Sequence, residues 1–198
     1  SQAISDNHRM NFLKYRIARQ RSGALLACDS TTRSAWGRCL ADIRWGANKD
    51  TPLLKNTVEM VVYSLDSHEP IYYRTFAGNE SDLRTIRVLL SDLAALGCDD
   101  VQVIFDRGYI SEDNVEDMLR QDLPFLMCSK TGQDPVYPYL KNIQWDSDGM
   151  PENMQYHAKE RVYCAQFNHQ VTLENEGVVR EFALKINAFL DMNSRIDE

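Results

Sequence analysis

Two aspartates combine a residue type and a setting that suit metal chemistry. Asp29 follows the run Ala24-Leu25-Leu26-Ala27-Cys28, and Asp106 follows Val101-Gln102-Val103-Ile104-Phe105. Both runs have the content of buried strands, so each acid is expected where a strand ends. Neighbouring strands lie about 4.8 Å apart, so two such strands side by side would bring both carboxylates to one point. Carboxylates that close repel, and either one stays protonated or a divalent cation binds between them. Ligation by oxygen alone favours Mg2+ or Mn2+ over zinc. The chemistry served by such a pair is phosphodiester cleavage, in which two cations about 3.5–4 Å apart activate the attacking oxygen and stabilise the leaving one. The bland alternative is that each aspartate only caps or turns the next segment. Spacing alone leaves both readings open.

No rival site competes with this pair. His8, His68, His157 and His169 are scattered, without metal-ligand spacing. Cys28, Cys39, Cys98, Cys128 and Cys164 are odd in number and show no Cys-x2-Cys or Cys-x4-Cys pair, so they read as reduced thiols used as small core residues. Neither a Gly-x-Ser-x-Gly elbow nor a phosphate-binding Gly-Lys-Ser/Thr loop occurs.

The elements that must position the two acids follow from periodicity. Residues 5–21 place Met10, Leu13 and Ile17 at helical spacing with a basic opposite face, before Ser22-Gly23. Strand 24–28 leads into Asp29-Ser30-Thr31-Thr32. The stretch 33–55, in which Trp36, Gly37, Trp45 and Gly46 stand among basic residues, is expected to be a structured loop. Residues 57–65 and 71–78 flank the turn Asp66 to Pro70 and read as a hairpin. Ser81 can cap a helix with Leu83, Ile86, Leu89, Leu90, Leu93 and Leu96 on one face, closed by Gly97. Strand 101–105, a helix capped by Ser111 and a strand over 125–129 complete the series. Residues 131–155 look like a connector, 160–174 like a strand, and 176–190 like a helix. Strand, hairpin, helix, strand, helix, strand is the order of the ribonuclease-H-like fold: an α/β mixed sheet with a three-strand meander, then helix-linked strands, flanked by helices. Sites in open sheets sit at the carboxyl ends of central strands, where both acids fall.

At 198 residues, 43% apolar and 26% charged, the chain has the balance of a globular protein, and no stretch approaches a membrane span. The expected organisation is a basic helical lead-in over 1–23, a catalytic core over 24–130, and a connector with the start of an inserted β-containing region over 131–198. Although the net charge is −7, residues 1–60 hold ten Lys/Arg against five Asp/Glu. A basic third on an acidic body could track phosphates locally. The first residue is Ser, with no leader after it, which suggests an excerpt and a cytoplasmic home.

Three stretches carry a family resemblance. Asp29-Ser30-Thr31-Thr32 is followed by Gly46-Ala47-Asn48-Lys49-Asp50; the hairpin ends in Pro70 through Gly78-Asn79, with Asp82 three residues later; and Asp106-Arg107-Gly108-Tyr109 makes an Asp-x-Gly-aromatic signature. In order and interval they resemble the DDE transposases of bacterial insertion sequences, in the branch whose catalytic domain carries a β-rich insertion. The resemblance implies that Asp29 and Asp106 are two of three metal ligands, using Mg2+ or Mn2+. It further implies DNA cleavage and strand transfer on element ends and target DNA, by a homodimer in the complete complex. Arg107 would reach a phosphate or an acid of the fold's own surface, and Lys49 and Lys55 are further phosphate candidates. Tyr109 is expected in the core, and Gly78-Asn79 at the start of the following helix.

The chain departs from the family at the third carboxylate. That ligand belongs to a Tyr-x2-Arg-x3-Glu-x6-Lys helix, and no Arg-x3-Glu occurs anywhere in the sequence. The economical expectation is a chain that stops before that helix, inactive on its own. Two alternatives remain: a ribonuclease-H-like nuclease that hydrolyses without joining, and a non-catalytic DNA-binding relic.

Overall fold

The computed structural model describes residues 5–36, 42–48, 51–98, 100–175 and 177–191. The chain divides into two compact units, Ser1–Cys128 and Ser129–Glu198.

The first unit opens with helix α1 (Asp6–Ile17), capped by a reciprocal pair in which Ser5 Oγ accepts from the His8 amide and the His8 ring accepts from the Ser5 amide. It ends at Ile17, earlier than its basic tail suggested, and buries Leu13 and Ile17. A five-stranded sheet follows in the order β3-β2-β1-β4-β5, formed by β1 (Ala24–Ser34), β2 (Asn56–Ser64), β3 (Glu69–Ala77), β4 (Val101–Phe105) and β5 (Phe125–Met127). β1, β2 and β3 are antiparallel neighbours, while β4 and β5 run parallel to β1. This is the ribonuclease-H-like arrangement: a meander, then strands reached through helices α2 (Asp82–Ala95) and α3 (Glu112–Arg120).

The apolar runs that looked buried on both sides are buried on one. Along β1 fully buried residues alternate with half-buried or exposed ones, so Ala24, Leu26 and Cys28 enter the core while Leu25 and Ala27 do not. Met60, Val62, Val103 and Phe105 share that core with Ile86, Leu89 and Leu93 of α2 and Met118 of α3. Cys28 and Cys98 are core residues as expected, but Cys128 lies just past the short strand β5 and is exposed. Cys39 falls outside the described residues.

Gly46 and Gly78 have a definite steric reason. A Cβ on Gly46 would come within 1.7 Å of the Gly78 carbonyl oxygen, and one on Gly78 within 2.0 Å of the Asn56 carbonyl oxygen. Three backbone segments therefore meet where β2 begins and β3 ends, a closeness only glycine permits.

The second unit is a three-stranded antiparallel sheet of β6 (Gln155–His157), β7 (Val162–Asn175) and β8 (Val178–Asp191), preceded by the short helix α4 (Tyr137–Leu140). The helix expected over 176–190 is a strand. Phe182, Leu184, Ile186, Ala188 and Leu190 recur every second residue and are the more buried set, a period of two rather than 3.6. β7 and β8 pair along their whole lengths, turning at Gly177 with φ of 79°. Tyr139 of α4 packs on Phe167 and bonds the His169 ring through its hydroxyl at 3.0 Å.

Candidate metal centre

Asp29 is not at a strand end, since β1 continues to Ser34. What ends near it is the partnership with β4. The parallel ladder runs from Ala24 opposite Val101 to Cys28 opposite Phe105 and then stops. Asp29 and Asp106 are the next residues on the two strands, so they leave adjacent positions where the ladder opens. Beyond this point β1 is paired only on its other side, with Asp29 opposite Val61 of β2.

The period-two alternation of β1 puts the Cys28 side chain in the core and Asp29 on the opposite, open face. Asp106 is also exposed and caps the 3-10 turn Arg107–Tyr109. The two carboxylates are held alike: Oδ1 of Asp29 accepts from the Ser30 amide at 2.7 Å, and Oδ1 of Asp106 from the Arg107 amide at 2.7 Å. One oxygen of each is thus held by the amide of the residue that follows it. Burial, then the nearby Asp29 charge, push the Cys28 thiol far above the ordinary thiol range, so it stays protonated in the core.

The turn after Asp106 is built from below. Tyr109 is buried and its ring meets Phe105 at 5.5 Å, in keeping with the expected core role. Buried Asn114 donates to the Tyr109 carbonyl at 2.8 Å, and Ser111 Oγ accepts from the Asn114 amide, capping α3. The chain can therefore reverse beside the carboxylates on a packed support rather than a free loop. Gly78 and Asn56 brace the far end of β2 and β3, where the Asn56 amide donates to the Arg44 carbonyl at 2.9 Å.

The other sequence candidates fall as follows. Arg107 is exposed directly after Asp106. Lys55 is exposed, its ammonium 5.9 Å above the Trp45 ring. It precedes Asn56, which pairs with Ser34, and its carbonyl accepts from the Ala35 amide, so it belongs to the same end of the sheet but lies about 20 Å along β1 from Asp29 at ~3.3 Å per residue. Lys49 lies outside the described residues. Among the described residues no group of three His, Cys, Asp or Glu is placed to hold a metal. Trp36 and Trp45, which the sequence assigned only to a structured loop among basic residues, are both exposed.

Such an arrangement offers two oxygen donors of like charge on an open sheet face, with the Arg107 side chain directly after one of them. The family model for the transposase DDE domain matches residues 20–182. No curated protein matches the chain. Among solved structures, the piggyBac transposase synaptic complex with hairpin DNA is 13% identical, with a TM-score of 0.49 over 79% of this chain and 33% of that one. The Mos1 transposase paired-end complex with left transposon end is 12% identical, with a TM-score of 0.38 over 70% of this chain and 46% of that one. A Mos1 mariner paired-end complex with Mn is likewise 12% identical, with a TM-score of 0.38, covering 71% of this chain and 50% of the other. This chain spans about a third to a half of the length of those structures.

Proposed function

Because the chain belongs to the transposase DDE-domain family, we propose that Asp29 and Asp106 are two of the metal-binding carboxylates of a DNA-cutting and DNA-joining centre. The observation that carries the assignment is their placement side by side where the β1–β4 ladder stops. The residues fit a hard cation: each carboxylate has one oxygen oriented by its own backbone and the other directed to no described partner. Bound Mg2+ or Mn2+ would supply activation of the attacking oxygen and stabilisation of the leaving one, with no protein nucleophile. The chain's own part is to hold the two carboxylates at a fixed strand separation and, through Arg107, to place positive charge beside a phosphate. Lys49 and Lys55 extend the DNA contact.

We assign the chain to the bacterial insertion-sequence branch with a β-rich insertion; the separate sheet β6-β7-β8 after β5 supports that reading. In the complete transposase the substrates are element ends and target DNA, and the active complex is a homodimer. With no Arg-x3-Glu in the sequence, this polypeptide alone cleaves DNA poorly or not at all.

Calorimetric titration with Mn2+ tests the centre directly. The wild type takes up the ion, and Asp29→Asn and Asp106→Asn each abolish or sharply weaken the uptake. Equal heats from all three proteins would remove both residues from the assignment. Product analysis separates transposition from simple hydrolysis, since only a transposase yields joined DNA.

A further inference from the structure

The segment around the start of β2 exposes aromatic surface that the metal centre does not use. Trp36 is 85% exposed and Trp45 61% exposed, whereas indoles are usually well buried. The residue before each is nonetheless held through its backbone. The amide of Ala35, next to Trp36, donates to the Lys55 carbonyl at 2.9 Å. Arg44, next to Trp45, exchanges two backbone hydrogen bonds with Asn56, at 3.1 and 2.9 Å. The Gly46 backbone sits against the Gly78 carbonyl, closer than any side chain would allow. Lys55 joins the two sites: its carbonyl holds the Trp36 segment, and its ammonium lies over the Trp45 ring.

Two indoles held out on braced backbone, with an ammonium on one of them, make a surface for flat, electron-rich rings attached to anions. We propose that Trp36 and Trp45, with Lys55, form a stacking platform for unpaired DNA bases at the sheet end that also carries Asp29 and Asp106. The proposal rests on the reading of this chain as a DNA-acting protein and adds the structural state of the DNA it grips. In an intact duplex both faces of each base are already stacked, so an indole has none to meet; an unpaired strand presents them. Every base has such a face, so the platform is tolerant of sequence. Lys55 supplies the charge that draws the backbone alongside. The placement suits DNA that is opened or broken near the carboxylates, with the freed strand led along β1 away from Asp29.

The test uses the full chain with Trp145→Phe, so that fluorescence reports only Trp36 and Trp45. It is titrated with single-stranded oligothymidylate and with a blunt duplex. The expected result is quenching at saturation by the single strand, and a loss of at least about five-fold in single-strand affinity for each of Trp36→Ala and Trp45→Ala. Duplex affinity stays unchanged in those variants, and Trp36→Phe and Trp45→Phe recover most of the single-strand binding. Unquenched fluorescence at saturation, or alanine variants that bind single strands like the parent, would overturn the platform while leaving the DNA reading intact. A parent that binds neither DNA would defeat both.

Discussion

At the residue scale, the proposal that Asp29 and Asp106 share a cation predicts an effect of the ion on stability. Like charges on adjacent strands repel, so without divalent ions Asp29→Asn should melt no lower than the wild type. Saturating Mn2+ should then raise the melting point of the wild type but not of the variant, by linkage worth about 2.7 kcal/mol at a hundred times the dissociation constant. A differential scan with and without Mn2+ reads both halves. Equal ion-induced shifts would place the metal elsewhere. Asp66 gives a pH counterpart. The Leu25 amide, and after it the Arg21 guanidinium, hold its carboxyl below the ordinary aspartate range. A depressed folded value stabilises above the unfolded pKa of about 3.9 and is lost as pH falls through the folded one. The acid limb of a melting profile, below about pH 4, should therefore be shallower for Asp66→Asn than for the wild type.

At the element scale, the meeting of Gly46, Gly78 and Asn56 is the joint that fixes both the platform and the end of the meander. Gly78→Ala puts a methyl group into the Asn56 carbonyl, and overpacking of this kind costs about 1–3 kcal/mol or more. Urea midpoints should fall accordingly, while Gly132→Ala, with nothing nearby to meet, should leave them in place. In α2, Leu89 is fully buried against the sheet, so Leu89→Ala should cost about 2–5 kcal/mol. The helices of the first unit were legible from their apolar spacing; Ser111 caps α3 as expected, whereas Ser81 stands at the start of α2 without a side-chain cap hydrogen bond. β8 was not: Phe182, Ile186 and Phe189 also satisfy a helical spacing. Pairing with β7, fourteen residues long, decides in favour of the strand by satisfying its backbone groups across the hairpin.

At the scale of the whole molecule, charge is uneven: a basic first third belongs to a chain of net charge −7. DNA affinity should fall with salt, and Lys55→Ala or Arg107→Ala should each reduce the salt slope by about one. Removing Trp36 or Trp45 should leave that slope unchanged, since stacking releases no counterions. Salt titrations of the four variants separate phosphate contacts from base contacts. The match to the family extends over residues 20–182, from before β1 into β8. No helix among the described residues is long and apolar enough to cross a membrane.

The sequence by itself determined the candidate acids, the order of strands and helices in the first unit, and the motifs that resemble the transposases. These are local properties: apolar periodicity, caps, and short signatures read along the chain. Only the tertiary structure decided that Asp29 and Asp106 are neighbours. Their closeness comes from the parallel register of β1 on β4, set by burying Leu26, Cys28, Val103 and Phe105 in one core across more than seventy residues of chain. Pairing with β2 carried β1 past Asp29 to Ser34, so that Asp29 stands at a break in the β4 ladder rather than at the end of a strand, while Asp106 does follow the end of β4. It also brought Ala35 to Lys55 and Arg44 to Asn56, with two tryptophans left in solvent in a segment the sequence assigned only to a structured loop.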